Sequence, residues 1–106
     1  MRYGLILLIG LLFSASSSAV DSTGKIFDIY VFQNTSTVLF RIEGAQLNAC
    51  ATTNRYAIDL AQIGGEALYS LILAAEATGK EVRVRGTDRC EIHHDSEDAN
   101  WIKTNS

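Results

Sequence analysis

Cys50 and Cys90 are the only cysteines of this chain, and both lie downstream of an N-terminus that reads as a secretory signal. Arg2 is the basic n-region, Leu5 to Phe13 a short apolar stretch interrupted by Gly10, and Ser17-Ser18-Ala19 a small-x-small cleavage site. The apolar run is too short for a membrane span, which takes about 20 residues. No cysteine stands at the cleavage point to carry a lipid. Residues 1–19 are therefore expected to be removed, leaving residues 20–106 as a single secreted or periplasmic domain. Two thiols in a small exported domain predict one structural disulfide; two free or intermolecular thiols are the alternative. Closing a loop of about 40 residues stabilises by roughly 4 kcal/mol in the chain-entropy model. That is a large share of a typical net stability of about 5–15 kcal/mol.

Charge narrows the partner classes. The whole chain carries a formal charge of −3, and loss of residues 1–19, which hold Arg2 and no acid, takes it to −4. A net acidic domain is a poor polyanion binder. No second apolar stretch approaches membrane length, so no membrane insertion is expected.

Hydrophobic periodicity gives five strands and one helix. Lys25 to Phe32 alternates with Phe27, Ile29 and Val31 on one face. Thr37 to Glu43 alternates more clearly, with Val38, Phe40 and Ile42 inward and Arg41 and Glu43 outward. Asn34-Thr35-Ser36 is turn material between them, which predicts an antiparallel hairpin. Arg55 to Leu60 reads as a third strand with Tyr56, Ile58 and Leu60 on one face. Gly64 to Thr78 reads as a helix, with Gly79 as its left-handed terminator. Its broad apolar face comprises Ala67, Leu68, Leu71, Ile72, Ala74 and Ala75, and leaves Tyr69 and Leu73 on the outer side. Glu81 to Arg85 is a fourth strand with Val82 and Val84 inward. Cys90 to Ile92 begins a short extended piece, 93–100 reads as polar loop, and Trp101 to Lys103 as a last strand.

The chain is thus mainly β with one helix, in the order β-β-β-α-β-β. A five-stranded Greek-key barrel with a helix after its third strand is the OB-fold arrangement. A small open α+β sheet is the alternative. Closure removes sheet edges, which favours the barrel for so short an exported chain.

Several motifs occur in a telling order: Phe40-Arg41-Ile42-Glu43-Gly44, Ala49-Cys50, Ala67-Leu68-Tyr69 leading to Ala77-Thr78-Gly79-Lys80, and Val82-Arg83-Val84. In order and spacing the chain resembles the B subunits of the subtilase-cytotoxin and pertussis-like AB5 toxins over about Gly24 to Val84. The resemblance implies an OB-fold, a homopentameric ring, a cell-surface glycan as ligand and a toxin A subunit as partner. Helices line the pore of such rings, which would give Tyr69 and Leu73 an oligomer interface. A serine hydroxyl just before the first strand helps bind glycan in the subtilase type, and Ser22 or Thr23 matches that position. The chain departs from the family at Arg41, where the toxin subunit has a cysteine. It departs again at Arg85-Gly86, which replaces an aromatic pair that could hold a sugar face.

The remaining chemistry is sparse. Glu91-Ile92-His93-His94-Asp95-Ser96-Glu97-Asp98 is the densest polar cluster. Adjacent His93 and His94 on a strand would point to opposite faces, so no metal site is expected; a solvated acidic loop is, with a weak divalent-cation site as the other reading. A disulfide would consume the only thiols, no G-x-S-x-G turn occurs, and no carboxylate stands out as a buried acid. The chain is therefore not expected to be an enzyme or to hold a cofactor. Arg41, Arg55, Arg83 and Arg85 are outward on neighbouring strands, and Tyr30 or Phe32 could stack bases. Pairing of those arginines with Glu43, Asp59 and Glu81, and the acidic balance, argue against nucleic acid. The expectation is a secreted, non-catalytic glycan-binding module; the alternative is a secreted OB-fold interaction protein that binds a protein partner.

Overall fold

The computed structural model describes residues 20–105. The expected signal segment, residues 1–19, lies outside the described residues. Five strands and one helix follow in the predicted order: β1 (Asp21–Val31), β2 (Thr37–Ile42), β3 (Arg55–Asp59), α1 (Gly65–Thr78), β4 (Glu81–Gly86) and β5 (Ser96–Thr104). The strands close into a ring in the order β1-β2-β3-β5-β4, with β4 pairing back onto β1. All pairings are antiparallel except β3 with β5, which run parallel. This is the OB-fold-like topology.

Alternation on β2, β3 and β4 builds the interior as read from the sequence. Val38, Phe40, Ile42, Tyr56, Ile58, Val82 and Val84 are buried, with Ile26 from β1, Ile72 and Ala75 from α1, and Ile102 from β5. Phe40 and Tyr56 stack with centroids 5.6 Å apart. A Cβ at Gly24 would collide with the backbone carbonyl of Glu43, so the close β1–β2 crossing there requires glycine. The Cys50–Cys90 bridge forms, with Cα atoms 6.1 Å apart, inside the ordinary range. It ties the β2–β3 connection to the β4–β5 connection.

Three sequence expectations need correction. First, β1 begins at Asp21 and its inward residues are Ser22, Gly24 and Ile26. Phe27 and Val31, expected inside, are exposed. A bulge accounts for Phe27, which faces Arg41 on the outer side while Tyr30 faces Leu39, one residue out of register; Ile29 packs on the core as expected, and Val31, opposite Val38, is exposed at the strand end. Second, α1 turns the expected stripe inward at Leu68, Leu71, Ile72 and Ala75 but adds Tyr69 and leaves Ala67 and Ala74 exposed. Bulk decides between near-equivalent phases, since a tyrosine ring buries far more surface than an alanine methyl. Third, the polar stretch 96–100 belongs to β5 rather than to a loop. Ser96, Glu97 and Asp98 are buried. α1 ends as expected, with Gly79 at φ 68° and its N–H bonded to the carbonyls of Ala75 and Glu76.

Candidate binding face

The β1 bulge builds the most distinctive surface of the molecule. Asp28 sits in the bulge at φ 62°, a left-handed conformation that a short polar side chain tolerates. There its carboxylate meets two guanidinium groups, Arg55 at 2.9 Å and Arg41 at 3.3 Å. The Arg55 guanidinium carbon lies 4.8 Å from the Tyr30 ring centre, a cation–π contact. Arg41 also donates from Nε to the Thr53 carbonyl at 3.3 Å. Leu39 and Ala57 alternate with the inward residues of β2 and β3, yet both are buried, so this outer face carries a second packed layer.

Rings extend the face toward the loops. Tyr30 and Phe32 have centroids 6.0 Å apart, Phe32 and His93 5.5 Å, and His93 and His94 4.8 Å. Tyr30 is half exposed. The row runs from β1 into the β1–β2 loop and across to the β4–β5 loop. Beside it a depression of about 600 Å³ is lined by Phe27, Arg41, Glu43, Gly44 and Asn54. A second cavity of about 470 Å³ lies between the start of α1 and the β4–β5 loop, with Gln62, Leu68, Arg89 and Ile92 in its wall.

The turn at 93–95 departs from expectation. The residues form a turn closed by a His93–Ser96 bridge, not a strand, so the two imidazoles stack on one side. His93 Nδ1 lies 2.7 Å from Asp95 Oδ1, and the buried Ser96 hydroxyl donates to the same oxygen at 3.0 Å. Burial works against ionisation of Asp95, but the hydrogen bonds from His93 and Ser96 and the neighbouring imidazole charges hold its carboxyl below the usual carboxylate range.

Glu97 and Asp98 are not solvated either. Glu97 accepts the backbone N–H groups of Asn48 and Asp88 at 2.8 and 2.9 Å. Asp98 accepts those of Glu91 and Ile92, both at 2.9 Å. Glu97 thus ties together the two loops joined by the disulfide and Asp98 organises the β4–β5 loop, buried polar roles satisfied by fixed donors.

The other sequence candidates separate clearly. Ser22 is buried, its hydroxyl shared between the Tyr56 hydroxyl and the Gln46 N–H, so it offers nothing to a sugar. It was expected before the first strand; β1 starts earlier and carries it inside. Thr23 is exposed on β1, paired with Arg83 across the sheet. Leu73 is exposed on α1, whereas Tyr69 is packed inward and is not an outer-face residue. The arginines pair differently from expectation: Arg83 and Arg85 meet Asp21, and Arg41 and Arg55 meet Asp28. The Arg85 hydrogen bond is the main influence holding the Asp21 carboxyl below its ordinary range, and burial opposes it. Sequence reasoning noticed Tyr30 and Phe32 but missed their alignment with His93. That depends on the bulge and on how two distant loops meet.

Comparison with protein-family models, curated proteins and solved structures yields no match.

Proposed function

We propose that the chain is a non-catalytic glycan-binding module that uses the outer face of β1–β2–β3 and its flanking loops. The row of rings Tyr30, Phe32 and His93 beside Asp28, Arg41 and Arg55 carries this reading. Flat rings meet the C–H face of a pyranose, while a carboxylate and guanidinium groups hydrogen-bond its hydroxyls. OB-folds bind oligosaccharides and oligonucleotides through this strand face and these two connecting loops. The formal charge of −3 favours the sugar over the polyanion. Thr23 is exposed at the other end of β1 and extends the candidate contacts. No acid–base work is assigned to Glu97 or Asp98, since backbone donors already occupy them.

The resemblance to AB5 toxin B subunits supports the same ligand class and adds a homopentamer and a toxin A subunit as proposed partners. The disulfide fits an exported protein, and among the described residues no helix is long and apolar enough to cross a membrane. A glycan array with neutral and sialylated structures, followed by titration of the best ligand against Tyr30→Ala, tests the proposal. Binding that Tyr30→Ala weakens supports it, and a silent array overturns it. A second reading, a protein partner on the helix side, rests on the exposure of Ile63 and Leu73. Molar mass in solution tests the ring: a monomer at high concentration rejects it.

A further inference from the structure

We propose that His93, His94 and Asp95 form a binding site for a divalent transition-metal ion of the zinc class. Each residue offers one donor atom, and the three lie within 4.8 Å of one another. His93 Nδ1 is 2.7 Å from Asp95 Oδ1, and His94 Nε2 is 3.7 Å from Asp95 Oδ2. Donors on one tetrahedral zinc stand about 3.3 Å apart, given bond lengths of about 2.0–2.1 Å. The two separations from Asp95 lie on either side of that value and all three donors lie within 4.8 Å, so side-chain rotation brings them onto one ion.

The fold prepares the site from below. The Asp95 carbonyl accepts the Thr53 N–H at 3.3 Å and the Thr53 hydroxyl at 3.0 Å, and Ser96 N–H bonds to the His93 carbonyl at 3.2 Å. The fully buried Ser96 hydroxyl orients the Asp95 carboxylate, the outer-shell contact that metal-ligating carboxylates ordinarily have. Phe32 packs against the His93 ring. His94 is exposed and free to swing onto the ion. Two imidazoles and one carboxylate select zinc, nickel or copper over calcium or magnesium, which prefer all-oxygen shells. Three protein ligands leave a further position open to solvent.

These are the only two histidines in the sequence, so their ring resonances report the site without ambiguity. Zinc is titrated calorimetrically into the untagged, disulfide-bonded protein, and the histidine Cε1–H signals are followed by NMR. The expected result is one zinc per chain, with both histidine signals shifting together. His94→Ala and Asp95→Asn should each weaken binding at least about tenfold. His94 is exposed, so its variant keeps the fold and the comparison holds. No heat and unmoved histidine signals at 1 mM zinc overturn the proposal. So does zinc binding that survives both substitutions unweakened. No sugar is present in this experiment, so its outcome is independent of the glycan reading.

Discussion

The Ser22 and Tyr56 hydroxyls lie 2.6 Å apart, both buried, and join β1 to β3 inside the ring. The Tyr56 ring fills the core beside Phe40, while its hydroxyl is satisfied by Ser22. Burial pushes the phenol up to about 12; the Ser22 bond opposes this, and nearby Glu97 and Asp21 add to it. The unfolded chain ionises this tyrosine at its ordinary value near 10, so between there and about 12 the folded state holds the proton longer. Its contribution to stability is complete below about pH 10 and is lost as pH rises toward about 12. Denaturant midpoints measured from pH 8.5 upward should fall more steeply for the natural chain than for Tyr56→Phe. Equal slopes would show that the phenol is not held neutral.

Reduction of Cys50–Cys90 removes the one covalent tie between the two loops. Loss of up to about 4 kcal/mol is expected, seen as a lower urea midpoint for reduced protein or for the paired alanine variant. Glycan binding by protein that remains folded should persist through Tyr30 and Phe32, with any loss arising from the β4–β5 loop, which holds both Cys90 and His93.

Glu97→Ala strips two part-buried backbone N–H groups of their acceptor at once. A cost of about 3 kcal/mol is expected. Amide hydrogen exchange should locate the effect at Asn48 and Asp88; uniform loss of protection without change at those two amides would contradict the assignment. Glu97→Gln keeps an acceptor oxygen and should recover part of the loss.

On the outer face, Tyr30→Ala and Asp28→Ala should separate binding from stability. Asp28 is partly exposed, so deleting its two ion pairs is expected to shift stability by no more than about 1 kcal/mol. Both variants should lower affinity for an array-identified glycan by about tenfold or more, measured by calorimetry.

The sequence was most readable where one face is plainly apolar. Val38-Phe40-Ile42, Tyr56-Ile58 and Val82-Val84 alternate without interruption and land in the core. β1 was misphased because Asp28 adds one residue to the strand, and a bulge leaves no mark in a period-two count. β5 was cut short because Glu97 and Asp98 look like solvent-facing acids. Only the approach of four backbone N–H groups, three from the β4–β5 loop and one from distant Asn48, makes their burial favourable. The binding face was hidden for the same reason: Phe32 and His93 are far apart in sequence, and loop placement alone brings their rings together.

The position of β5 in the ring sets a timetable. It is the last strand among the described residues, yet it sits between β3 and β4. A chain that emerges N-terminus first therefore carries an open sheet with two bare edges until residues 96–104 arrive. Until then β3 and β4 offer unpaired backbone to any neighbouring strand. Residues 96–104 act as a keystone, and their removal would turn a closed ring into an open sheet prone to pair with other chains.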